Sequence, residues 1–351
     1  MIRILDPAEF LHESSRMPVV DVRSPGEYHS GHIPGAYNIP LFEDDERAVI
    51  GTIYKHNGQE AAIARGMMIA GPKVPDYVQK ALRVAPEKTL LIHCWRGGMR
   101  SERMAELFSQ HGFRVGILKN GYKGYRRFSM EVFSLPLLVM VLGGNTGSGK
   151  TAILQELKRL DEQVIDLEEI AHHKGSAFGS LGQLPQPSNE QFQNELLEQW
   201  RTVDRNRHVW LEDESRMIGT VTLPEAVYQH IDQGFLIRVI RSKEERIERL
   251  VSEYAGFDPV LLHQAVEKIR LRLGGQNTKE ARSAIDRGDF HTVADITLAY
   301  YDKAYEHAVS RKASKKIVDF TPGNDIPADI ARELIRFVHE LRTNEPDLFR
   351  L

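Results

Sequence analysis

The sequence predicts an α/β protein built from two parallel-sheet domains, the second ending in a helical region. Short apolar runs alternate with helix-patterned segments along most of the chain, the signature of a parallel sheet. Twice, an apolar run passes through a glycine-bearing loop directly into a helix, at residues 93–101 and 143–151. A length of 351 residues is enough for two domains of ordinary size.

The first domain is placed at residues 1–128. Residues 19–23 read as a short buried strand, and Ser24-Pro25-Gly26-Glu27 as a turn opening a helix. The Gly/Pro-punctuated loop 31–36 leads into a second short strand at 37–40. Residues 59–70 and 76–84 are patterned as helices, 89–93 as a strand, 101–110 as a helix and 114–118 as a last strand. From 121 to 134 the pattern loosens, and 129–136 is assigned to a linker. The second domain, 137–351, opens with a strand at 137–142, a loop at 143–149 and a helix from Lys150 to about residue 160. Further strands are expected at 163–166, 208–212 and 235–240. Residues 259–283 and 329–342 are predominantly helical, and no internal repeat is visible.

Composition narrows the class. The start, Met1-Ile2-Arg3-Ile4-Leu5-Asp6-Pro7, lacks the apolar stretch of a secretory signal. The longest apolar run, 135–142, is interrupted by Pro136 and too short to span a membrane. A single cysteine excludes an internal disulfide and a Cys-rich zinc site. The expectation is a cytoplasmic protein without membrane association.

That cysteine, Cys94, lies in His93-Cys94-Trp95-Arg96-Gly97-Gly98-Met99-Arg100-Ser101, immediately after the apolar run 89–92. Loop amides and the positive end of the following helix dipole converge on such a position. A thiol there, beside arginines, is pushed toward thiolate. The competing reading is a small buried core residue. Cys94 is taken as the nucleophile, with Arg100 as its catalytic partner and Trp95, Arg96, Gly97, Gly98 and Met99 forming the anion loop.

Gly144-Asn145-Thr146-Gly147-Ser148-Gly149-Lys150-Thr151 matches G-x-x-x-x-G-K-[ST], between an apolar strand and an amphipathic helix. Its amides cradle phosphate oxygens and Lys150 reaches the terminal phosphates. Thr151 is the candidate ligand of Mg²⁺, with one of Glu212, Asp213 or Glu214 completing the shell and Asp213 the candidate taken. Helix capping competes as a role for the acidic trio. His172 and His173 are adjacent, so on a helix they point apart and do not share an ion.

Net charge is −3, so the chain as a whole does not advertise nucleic-acid binding. Three local clusters do stand out. Lys119, Lys123, Arg126 and Arg127 are interleaved with Tyr122 and Tyr125, a mixture suited to phosphate backbone with stacked bases. Arg311, Lys312, Lys315 and Lys316 form a second, and 268–287 a third, more mixed one. Solvated helix faces are the ordinary alternative for such runs.

The first segment resembles a rhodanese domain: Asp21-Val22-Arg23, Glu27, and Gly31-His32-Ile33-Pro34-Gly35-Ala36 with Asn38 stand in order before the cysteine loop. In that fold these residues shape loops, which makes Asp21 and His32 structural. Common single-domain rhodaneses place the arginine five residues after the cysteine; here the step is six, the C-x5-R spacing of tyrosine and dual-specificity phosphatases. A longer loop encloses a larger anion, such as phosphate or selenophosphate. Together with a P-loop NTPase-like second domain, the chain resembles the bacterial tRNA 2-selenouridine synthases over nearly its whole length.

The resemblance implies a transferase acting on wobble 2-thiouridine of tRNA. The sulfur is first geranylated from geranyl diphosphate, and selenium from selenophosphate then replaces the geranylthio group. It gives Cys94 the task of attacking or carrying selenium as a selenosulfide-type species, and the P-loop that of holding the diphosphate, with Mg²⁺ as a candidate partner. Lys119, Lys123, Arg126 and Arg127 then grip tRNA, and a selenophosphate-supplying enzyme is a candidate partner. Two other readings stand beside it. A C-x5-R phosphatase or sulfurtransferase uses the first loop alone, but residues 95–99 offer no general acid for an alcohol leaving group. A nucleotide-dependent kinase with a regulatory rhodanese domain uses the second.

Overall fold

The computed structural model describes residues 2–312 and 316–345, and the elements below are counted among those residues. The chain divides after Val132 into two compact units. In the first, β1 (Ile2–Leu5), β2 (Val19–Asp21), β3 (Tyr37–Asn38), β4 (Thr89–His93) and β5 (Arg114–Leu118) form a parallel sheet in the order β1-β5-β4-β2-β3. β4 is central, with Leu91 opposite Val19 on one side and Gly116 on the other. Leu90, Leu91 and Ile92 are fully buried because helices cover both faces of the sheet. Each such side chain contributes about 1.5–3 kcal/mol through burial. The loop bearing Cys94 therefore leaves the carboxyl end of the most constrained strand, where open parallel sheets bind their ligands.

Three features of this unit depart from the sequence expectation. The edge strand β1 has an apolar signal only four residues long. The segment expected to loosen into a linker is instead a helix, Gly121–Phe133, so residues 129–133 of the expected 129–136 linker are helical. Tyr122, Tyr125, Ser129 and Val132 recur at helical spacing and are buried, which is what orders it. The helix at 59–70 is also longer than expected, beginning at Asp44 and broken at Gly58, where φ is +85°.

The second unit has β6 (Val139–Gly143), β7 (Val209–Glu212), the short antiparallel pair β8 (Met217–Ile218) and β9 (Val221–Thr222), β10 (Phe235–Val239) and β11 (Ile317–Phe320). Its parallel sheet runs β11-β10-β6-β7. The strand expected at 163–166 shrinks to one bridge, Val164 to Trp210. Asp166 turns away to cap the helix Leu167–Ala171, its carboxylate accepting from Glu169 N–H. The C-terminal helix Pro327–Asn344 packs Ile330, Leu334 and Val338 against Ile153, Leu154 and Leu157 of the helix that follows β6. Helices between Pro259 and Val309 form a separate apolar cluster around Leu262, Val266 and Ile285. Among the described residues no helix is long and apolar enough to cross a membrane.

Candidate functional site

In the first unit Cys94 is a free thiol, 3% exposed, at the foot of a loop that ends in the helix Met99–Gln110. Its Sγ lies 3.2 Å from Ser101 Oγ and 3.8 Å from the Gly98 carbonyl. Ser101 Oγ in turn donates to Gly98 O at 3.0 Å, which pins the loop to the first turn of the helix. The floor of the loop is the start of helix Gly121–Phe133. Tyr122 N–H donates to Cys94 O at 2.8 Å and Lys123 N–H to Trp95 O at 2.9 Å. This contact demands glycine on both sides. A Cβ on Gly97 (φ +64°) would stand 2.8 Å from Gly121 N, and one on Gly121 (φ +56°) 2.4 Å from Cys94 O.

Arg100 is half-buried, and its Nη1 donates to Glu27 Oε2 at 2.7 Å. Burial pushes the Glu27 carboxyl up, but the hydrogen bond and charge of Arg100 hold it below its ordinary value. Behind the loop, the fully buried Arg23 grips Asp21 through Nε at 2.9 Å and Nη2 at 2.6 Å, and gives Nη2 to Gly31 O as well. Its guanidinium sits 3.9 Å from the centre of the Tyr122 ring. Against the burial that raises it, Asp21 is held low by His93 and Arg23. His93 is fully buried, and burial keeps its pKa below the usual value. Asp21 and Arg23 are thus scaffold for the thiol loop. His32 stacks on Tyr28 with ring centres 3.9 Å apart.

In the second unit the loop after β6 has the geometry of a phosphate cradle. Gly144, Gly147 and Gly149 all have positive φ. A Cβ on Gly149 would stand 2.9 Å from the Arg249 guanidinium carbon. Among the described residues Ser148 Oγ is buried without a hydrogen-bond partner, an orphan that an anion in the loop would satisfy. Lys150 Nζ donates to Gly144 O at 3.0 Å. Gly144 N–H donates to Tyr305 Oη at 2.8 Å, Asn145 Nδ2 to Asp302 at 2.8 Å, and Arg246 clamps Asp302 with Nη1 and Nη2. Tyr305, Asp302, Arg246 and Arg249 carried no signal in the sequence, since they reach the loop from helices more than ninety residues downstream.

The acidic residues sort differently from the sequence expectation. Thr151 Oγ1 donates to Glu168 Oε2 at 2.9 Å. Asp213 instead pairs with Lys312 at 2.6 Å and accepts from Tyr305. Glu212 accepts from Leu167 N–H at 3.0 Å. Burial, with Glu168 close by, pushes Glu214 up to about 8, and burial raises Glu168 as well. Glu168 is the acid that sequence reasoning passed over; its signal was the Asp166-Leu167-Glu168-Glu169 run just after an apolar pair. Among the described residues no group of three or more His, Cys, Asp or Glu is arranged to hold a metal. His172 Nδ1 meets Pro185 O while His173 is buried. Beside Thr146 lies an apolar cleft of about 40 Å³, little more than a water's worth of room.

The basic residues expected to meet nucleic acid are partly on the surface: Lys119, Lys123 and Arg127 are exposed, Arg126 half-buried. Their aromatic neighbours are not available for stacking. Tyr122 and Tyr125 are fully buried, because they form the inward face of helix Gly121–Phe133. Lys315, in the second basic cluster, lies outside the described residues.

Comparison with known proteins matches both units. Residues 6–127 fit the model of the rhodanese-like domain, and residues 137–258 that of the tRNA 2-selenouridine synthase AAA domain. The tRNA 2-selenouridine synthase of Shewanella denitrificans is 32% identical over 335 residues, spanning 85% of this chain and 90% of the relative. That of Shewanella piezotolerans is 33% identical over 336 residues, and that of a Sulfurovum species 31% over 333, each with the same 85% and 90% coverage. With both domains matched in order, and a thiol loop in one and a phosphate loop in the other, the chain belongs to the tRNA 2-selenouridine synthases, a family of enzymes.

Proposed function

We propose that this enzyme converts wobble 2-thiouridine of tRNA to 2-selenouridine in the cytoplasm, by two half-reactions served by its two loops. What carries the reading is the pairing of two unlike anion cradles in one chain. One holds the chain's only thiol; the other holds a lysine and an orphaned buried hydroxyl but no thiol.

In the first half-reaction the P-loop binds geranyl diphosphate. Loop amides, Ser148 Oγ and Lys150 take up the charge that develops as the allylic C–O bond breaks, while the thiouridine sulfur bonds the prenyl carbon and the base N3 proton passes to water. Thr151 and Glu168 would hold a Mg²⁺ ion whose remaining ligands are diphosphate and water, consistent with that ion's habit of using one or two carboxylates. Such an ion supplies further neutralisation of the leaving diphosphate.

In the second half-reaction Cys94 engages selenophosphate. A selenosulfide on Cys94 would require a two-electron oxidation, and its discharge a reducing thiol that a one-cysteine chain does not contain. Selenium therefore passes at the selenide level: the Cys94 thiolate bonds phosphorus, the P–Se pair leaves with selenium, and water later hydrolyses the S–P bond to phosphate. The selenide adds at C2 of the base, and the C2–S pair departs with the geranylthiolate, which takes a proton. No general acid is needed, because selenide leaves without protonation; the acid-free loop 95–99 suits that chemistry. Arg100, released from Glu27, holds the phosphoryl oxygens. The exposed Lys119, Lys123 and Arg127, with Arg126, contact tRNA phosphates, and a selenophosphate-producing enzyme supplies the donor.

Mass spectrometry of tRNA nucleosides after incubation with geranyl diphosphate and selenophosphate tests the reading. Geranylated and then selenated uridine is expected. Steady ATP turnover without RNA, or phosphate release from an aryl phosphate, with no modified uridine would replace it with the kinase or phosphatase reading.

A further inference from the structure

The first unit contains a cavity of about 470 Å³ beside the thiol loop, within the ~300–1,000 Å³ typical of small-molecule sites. It lies between the two arms of the helix Asp44–Ala70, which doubles at Gly58. Ile50 and Tyr54 line it from one arm, and Ile63 and Met67 from the other. Another wall is the start of the helix that follows the thiol loop: Met99 and Arg100, five and six positions after Cys94. Tyr54, Met67 and Met99 are large apolar side chains left 55%, 63% and 40% exposed around it. Three cations, Arg47, Arg100 and Arg103, share the lining. An apolar chamber with flexible methionines suits a branched hydrocarbon chain, and arginines beside it suit the anions of RNA and selenophosphate. The cleft beside the P-loop, at about 40 Å³, has no comparable room.

We infer that this cavity seats the prenyl chain of the S-prenylated thiouridine while selenide released at Cys94 replaces the sulfur on C2 of the base. The inference rests on the two-step reading above and extends it. The prenyl group is then a handle, recognised in the thiol-bearing unit, that places C2 of the base against the selenium donor and receives the leaving prenylthiolate. Rate should accordingly depend on the length of a chain that takes no part in the bonds made or broken.

The experiment supplies selenophosphate and an anticodon stem–loop carrying S-methyl-, S-dimethylallyl- or S-geranyl-2-thiouridine, and reads 2-selenouridine by mass spectrometry. For the wild-type enzyme, kcat/KM should climb with chain length by at least about tenfold in total. Ile63→Trp and Met67→Trp, which fill the chamber, should flatten that series by lowering kcat/KM for the S-geranyl substrate far more than for the S-methyl substrate. An anticodon stem–loop whose S-geranyl chain carries a photoreactive group should label peptides within residues 41–70. A flat series in the wild-type enzyme, or labelling confined to the P-loop unit, overturns the inference while leaving the two-step reading intact. Failure of the wild-type enzyme to selenate any of the three substrates overturns the two-step reading itself. The labelling result decides the matter even if both tryptophan variants fail to fold.

Discussion

Asp21 and Arg23 are both fully buried and bonded to each other two positions apart, behind a loop whose chemistry belongs to Cys94. Removing one charge strands the other, so Asp21→Asn should lower stability by about 3–5 kcal/mol in urea titration. Because the Asp21 pKa is depressed below 3.8, its contribution is fully present above that value and is lost as pH falls through the lowered pKa. Acid unfolding of the wild type should therefore show a pH dependence in that range that Asp21→Asn lacks, measurable as midpoints from pH 2 to 6. Cys94→Ser should abolish selenation and leave geranylation near wild type, by nucleoside mass spectrometry. Equal loss of both in a folded variant would sink the division of labour between the loops.

At the level of elements, the helix Gly121–Phe133 is the one whose role changed most between sequence and structure. Its first turn is the floor under Cys94 and Trp95, and its inward tyrosines close the back of the site. A Cβ at Gly121 has nowhere to go, at 2.4 Å from Cys94 O and with φ at +56°. Gly121→Ala should therefore destabilise the first unit by about 1–3 kcal/mol or more and cut selenation sharply, read by thermal melts beside single-turnover assays. Retained selenation would show that the loop does not need this floor. The same helix explains why the tyrosines among those basic residues offer no stacking surface. Tyrosines spaced three apart on a helix share one face, and here that face is inside.

Across the whole molecule, two sheets each present one loop at a strand's carboxyl end, and the proposed chemistry divides between them. Lys150→Ala should slow geranyl transfer by about 10²–10³-fold, the usual loss for one preorganised charge donor. The same variant should selenate RNA already carrying the S-geranyl group at the wild-type rate. Slowing of both steps, measured in separate single-turnover assays, would mean that the P-loop serves more than the prenyl donor.

What the sequence determined by itself was local: each strand–loop–helix junction, the positions of Cys94, Arg100, Lys150 and Thr151 within them, and the order of the two domains. Glycine spacing and apolar periodicity act over a few residues, so they are legible without a fold. What only the tertiary structure decided was partnership at a distance and burial. Arg100 meets Glu27 across 73 residues, Thr151 finds Glu168 rather than Asp213, and Gly144 meets Tyr305 across 161. The chamber against Met99 and Arg100 arises from a helix folding back at Gly58, a turn whose consequence depends on what packs against both arms. Spacing in a chain sets what a loop can be; packing sets what it faces, and that depends on segments no local pattern connects.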